Sequence, residues 1–201
     1  MQIEELVARQ EIWDALMRYV RGVDRRDAEM IASAYHSDAV DIRSYRPDGM
    51  PPGELARKAV AGWGESDPFS EHHTTNVLYD IDLEAGIATV ESYVLVLQPV
   101  SPDNVLPGFR PPAGRARTIF AGGRYVDRFE RRVGAGWRIA RRVLVVDWAK
   151  EDLLGADDPV LTSHPEGLAP APAGADPSDT WRADRELGTG LSGPTAVTSA
   201  G

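Results

Sequence analysis

The spacing of apolar residues changes period once along this chain, and that change limits the possible folds more than any other feature. In the first part, Ile12, Leu16, Tyr19, Val20 and Val23 recur at helical intervals, one face of a helix expected over residues 3–23. A second, shorter helix is expected over residues 28–35, with Asp27 as its N-cap. "AVDIRSY" then reads as a short strand, and "GELARKAVAGWG" as a third helix that stops at glycine. From Thr74 onward the pattern alternates. "TTNVLYDID" and "IATVESYVLVLQPV" are separated by "LEAG", a hairpin-length turn, and "RTIFAGGRYVDRFERR" and "GWRIARRVLVVDW" by "VGAG".

Helices followed by consecutive hairpins imply an α+β fold, with N-terminal helices packed on one face of a strongly curved, mainly antiparallel sheet. Residues 1–155 form the expected domain. Residues 156–201, where Pro, Gly and Ala come to dominate, lose all periodicity and are expected to be a disordered or draped tail. Between the hairpins, Ser101–Gly114 is a Pro/Gly-rich loop of a length that often borders a binding site.

Charge and composition remove several function classes. With a net charge of −9, the chain lacks the clustered cationic surface that nucleic acid or anionic membrane demands, so neither is an expected partner. It has no cysteine, hence no disulfide and no thiolate chemistry. No apolar run approaches the ~20 residues of a membrane-spanning helix. The N-terminal "MQIEELVARQEIWDAL" is acidic and amphipathic, unlike a signal peptide. A soluble cytoplasmic protein is expected.

The chemistry concentrates at "EHHTTN", residues 71–76, because the whole chain holds only four histidines. Neighbours on a strand point to opposite faces, so His72 and His73 cannot easily share one ion. His36 and His164 lack ligand spacing with them. No metal site and no other cofactor is expected. Proton transfer is the stronger reading, since neutral imidazole is the usual general base near neutral pH. A carboxylate that fixes its tautomer improves it, and Asp24, just after the apolar face of the first helix, is the candidate partner. Alternation groups His72 with Asn76 and Asp80, and His73 with Val77, Tyr79 and Ile81. It leaves the cavity side open, and a bulge would exchange the two.

In "GWRIARRVLVVDW", alternation places Arg141 in a row with Trp137, Ile139, Val143 and Val145. A charge in an apolar row must be paired or face a cavity, where it could stabilise an oxyanion or a leaving group. Tyr19, one turn before "GVD", could reach the same cavity. His73, Asn76, Tyr45, Tyr93 and Tyr125 complete the candidate substrate contacts.

With these residues in view, the chain resembles a SnoaL-like member of the nuclear transport factor two-like superfamily. The segments "RYVRGVDRRDAEMIASAYHSDAV", "HHTTNVLYDID" and "ATVESYVLV" carry the likeness, which covers about residues 3–150. The resemblance implies a cone-shaped α+β barrel. It is greatest to a branch holding scytalone dehydratase, hexachlorocyclohexane dehydrochlorinase and bile-acid 7α-dehydratase, enzymes with an Asp-His dyad and no cofactor. It implies Asp24 and His72 as that dyad, with Arg141 and Tyr19 as the remaining catalytic groups. The implied activity is that of a lyase or isomerase taking a carbon-bound proton from a small apolar cyclic substrate. The same superfamily also implies two alternatives: a non-catalytic binding or oligomerisation module, and a small subunit of a ring-hydroxylating dioxygenase. A homodimer or homotrimer is expected in each case.

Overall fold

A computed structural model describes residues 2–62, 69–102, 116–153 and 171–179. Most of the expected 101–114 loop, His164, Trp181 and most of the tail lie outside them.

The elements follow the predicted order: α1 (Ile3–Asp24), α2 (Ala28–Ser33), β1 (Tyr35–Arg43), β2 (Arg46–Met50), α3 (Pro52–Ala61), β3 (Glu71–Asp82), β4 (Ile87–Val100), β5 (Arg117–Arg132) and β6 (Gly136–Leu153). The apolar stripe of α1 buries Ile12, Leu16, Tyr19 and Val20 against the sheet, where they meet Val90, Phe129 and Ile139. Gly22 lets α2 pack hard against α1: a Cβ there would stand 2.7 Å from the backbone nitrogen of Ile31. Arg26, at φ 57°, ends the first helix in the left-handed region, and Asp27 caps the second by accepting from the Met30 N–H at 2.8 Å.

The six strands form one sheet in the order β2-β1-β6-β5-β4-β3. All neighbours are antiparallel except β1 and β6, which run parallel. The sheet curls around the helices without closing, so the barrel implied by the resemblance is an open one. Several boundaries differ from the sequence reading, and one strand is additional. Tyr35 begins β1 instead of ending α2, because its ring is drawn into the core beneath α1. "RPDGM", with turn-forming composition, is strand β2; an edge position tolerates its proline.

Bulges set which side chains face inward. In β3 the register with β4 slips between Thr75 and Val77, leaving Asn76 unpaired at φ 24°. In β6 the register with β5 slips twice, around Ala140 and around Asp147. Each extra residue exchanges the two faces beyond it. Trp137 and Ile139 therefore point to the core, but Arg142 rather than Arg141 continues that row.

Candidate active site

The inner face of the curled sheet, the end of α1 and helix α3 enclose a cavity of about 490 Å³. Its wall is largely apolar: Val23, Leu55, Val94, Val96, Ile119 and Leu144 contribute, and Gly122, against which the Trp148 ring packs, and Gly123 complete it. A cavity of this size and lining suits a small, mostly apolar molecule.

His72 and Asp24 meet at this cavity. Asp24 is the last residue of α1, and His72 is the second residue of β3, facing inward because Asn76 bulges behind it. The Asp24 carboxylate is held in both directions. One oxygen lies 2.7 Å from His72 Nδ1, and the other accepts the His72 backbone N–H at 3.1 Å. Since a carboxylate only accepts, Nδ1 carries a proton, and in the neutral ring Nε2 keeps its lone pair. Ser70 Oγ stands 3.4 Å from the same Nδ1, a marginal contact. The two side chains are only 12% and 16% exposed, and His72 lines the cavity.

Two cations line the cavity, the half-exposed Lys58 and the largely buried Arg43, which sequence reasoning missed. Its Nη2 donates to the Tyr19 hydroxyl at 2.8 Å, and its Nε to Asp41 Oδ1 at 2.5 Å. Asp41, fully buried, also accepts from the Tyr35 hydroxyl at 2.8 Å. Burial opposes the charge on Arg43, yet Tyr19 and Asp41 hold its guanidinium well above the ordinary value. Behind this cluster Arg142 and Asp127 form a fully buried bidentate pair with both contacts at 2.7 Å. The Arg142 guanidinium lies between the rings of Tyr19 and Tyr125, 4.4 and 4.0 Å from their centroids. Burial pushes the Asp127 carboxyl up; it also works against the charge on Arg142, but Asp127 and Tyr35 hold that guanidinium well above its ordinary value.

Of the sequence-derived candidates, Tyr19, Tyr45, His72 and Tyr125 line the cavity, with Asp24 bonded to His72. The other four do not reach it. Arg141 is exposed on the outer face, displaced by the bulge at Ala140. His73 points outward and contacts Glu71 at 3.2 Å. Asn76 is the bulge residue itself, and Tyr93 lies on the outer face, 6.0 Å from the Arg124 guanidinium. A signal for the true cation existed: Asp41 and Arg43, two apart in "AVDIRSY", share one face of a strand. Among the described residues no three His, Asp or Glu side chains converge as a metal site would require.

Residues 4–143 match the family model of the SnoaL-like domain. The chain belongs to the SnoaL-like family. No curated protein sequence matches it. Among solved structures, a candidate scytalone dehydratase of Novosphingobium aromaticivorans superposes with TM-score 0.56 at 22% identity, covering 87% of this chain and 98% of the other. The hexachlorocyclohexane dehydrochlorinase LinA-type3 of Novosphingobium barchaimii gives TM-score 0.60 at 20% identity, over 79% and 98% of the chains. A candidate aromatic ring hydroxylase of N. aromaticivorans gives TM-score 0.53 at 20% identity, over 77% and 96%. At these identities the likeness is one of fold. It leaves the chemistry of this SnoaL-like chain to its own residues.

Proposed function

We propose that this SnoaL-like protein is a cofactor-independent lyase or isomerase that removes a carbon-bound proton from a small, mostly apolar cyclic substrate. The observation that carries the reading is the Asp24–His72 pair at the wall of an apolar cavity. His72 Nε2 takes the proton. Asp24 holds the ring in the tautomer with Nδ1–H and stabilises the imidazolium that forms. Arg43, in place of the misassigned Arg141, and the Tyr19 hydroxyl it polarises receive the negative charge that develops on the substrate or its leaving group. Positioned acid–base assistance supplies roughly 10²–10⁴-fold, and the remainder comes from orientation and preorganised dipoles in a dry cavity.

The test is a screen of hydroxylated and halogenated cyclic compounds for elimination or double-bond migration, run with variants. His72→Ala should abolish turnover, and Arg43→Gln should slow it, while Arg141→Ala should leave it unchanged. Asp24→Asn should be nearly as damaging as His72→Ala. The His72 backbone N–H needs an acceptor, so the amide oxygen turns to it and the amide NH₂ faces Nδ1, forcing the proton to Nε2. In a catalytic triad that exchange costs roughly 10⁴-fold. Full activity in His72→Ala would sink the proposal. Ligand binding with no turnover in any compound class would favour a carrier of the same fold.

A further inference from the structure

Residues 171–179 form a strap that lies against the end of α1, and its contacts fall on both sides of Asp24. The Ala173 N–H donates to the Arg25 carbonyl at 2.8 Å, satisfying one of the carbonyls left open where the helix ends. Asp179 Oδ1 pairs with Arg21 Nη2 at 2.6 Å, and Ser178 Oγ accepts from the same nitrogen at 3.0 Å. Asp176, only 3% exposed, has Oδ2 2.8 Å from Arg25 Nε. That contact is a close ion pair whose N–H is not aimed well enough to be a hydrogen bond. The strap is itself folded around the two carboxylates: Asp176 accepts from the Ser178 and Ala171 N–H groups, and Asp179 from the Gly174 N–H.

Arg21 and Arg25 are the reason such a strap matters to the dyad. Arg21 lies three residues before Asp24 on the helix, a spacing at which oppositely charged side chains reach each other, and the Arg25 guanidinium already stands beside Asp24, its Nη1 3.4 Å from the Asp24 carbonyl oxygen. Left without carboxylates of their own, both guanidinium groups compete with His72 for the Asp24 oxygens. Such a competitor weakens the charge Asp24 offers the imidazole and can turn the carboxylate away from Nδ1.

We infer that Asp176 and Asp179 are positioning residues: by occupying Arg25 and Arg21, the strap leaves Asp24 to His72 alone. The inference depends on the dyad's geometry and not on turnover, so it can fail or hold separately from the proposed lyase activity. The probe is ¹⁵N and ¹H NMR of His72 in the full chain, reading the Nδ1–H tautomer and the downfield Nδ1–H proton shared with Asp24. In the wild type that resonance should be present. In Asp176→Asn/Asp179→Asn it should be lost, with the ring moving toward the Nε2–H form. Adding Arg21→Gln/Arg25→Gln to that variant should restore it, because the competing cations are gone. A contact that merely stabilised the helix end would not be rescued in this way. An unchanged resonance in the double variant, or a loss that the arginine substitutions fail to restore, overturns the inference. If the double variant folds too poorly to read, Asp179→Asn alone, at a partly exposed carboxylate, should weaken the resonance, and no change there also overturns it.

Discussion

At the scale of single residues, the site is defined by which charges are buried with partners. Arg142 has no exposed surface, and Asp127 is its sole carboxylate partner among the described residues. Asp127→Ala should therefore destabilise the protein by about 3–5 kcal/mol, since it strands a buried guanidinium between two tyrosine rings. Urea denaturation would show this as a lower midpoint with an unchanged slope. The residue types of this machinery were readable in the chain, because an aspartate after an apolar helix face and a histidine opening a strand are both unusual. Which arginine of β6 is buried was not. "ARRV" offers two adjacent arginines, and one inserted residue decides which of them is buried.

At the scale of elements, β3 and the strap on α1 each control one half of the dyad. Removing Asn76 would restore strict alternation in β3. Thr75 and Val77 already pair with the consecutive residues Tyr93 and Ser92, so with Val77, Tyr79 and Ile81 on the core His72 stays on the inner face and His73 on the outer one. Deletion of Asn76 should thus retain the His72–Asp24 resonance and any activity. Asn76→Gly should keep both, because glycine accepts a positive φ at no steric cost. The strap should release in acid. Burial raises the Asp176 carboxyl, but hydrogen bonds from Ser178 and Ala171 and the nearby Arg25 charge hold it below its ordinary range. A depressed acid stabilises docking fully above its unfolded pKa, about 3.9, and that contribution disappears as pH falls through the folded value. Hydrogen exchange at Ala173, followed against pH, would report the release. Helix and hairpin extents were legible because apolar periodicity records them; the bulges were not, since a single extra residue leaves no composition signal.

At the scale of the whole molecule, the outer face of the sheet carries a cluster of exposed apolar side chains. Tyr93, Leu95, Phe120 and Trp148 lie there, with Phe120 and Trp148 packed edge to face at 5.0 Å. A monomer rarely leaves such a patch to water. The expected homodimer or homotrimer would cover it with the same face of another copy. Light scattering should show an oligomer for the wild type and a monomer for Phe120→Glu/Trp148→Glu, with the His72 resonance retained in both. A monomeric wild type would refute this arrangement. Among the described residues no helix is long and apolar enough to cross a membrane.

The chain's own pattern was enough to determine the helix-then-sheet order, the two hairpins and the α+β class. Each of these depends on local periodicity, which a sequence displays directly. Tertiary structure alone decided that His72 and not His73 meets Asp24, that Arg43 and not Arg141 faces the cavity, and that β1 pairs in parallel with the distant β6. The physical reason is shared. A strand has two faces and a period of two, so one bulge reverses every assignment beyond it, and only the packed sheet fixes where the extra residue goes.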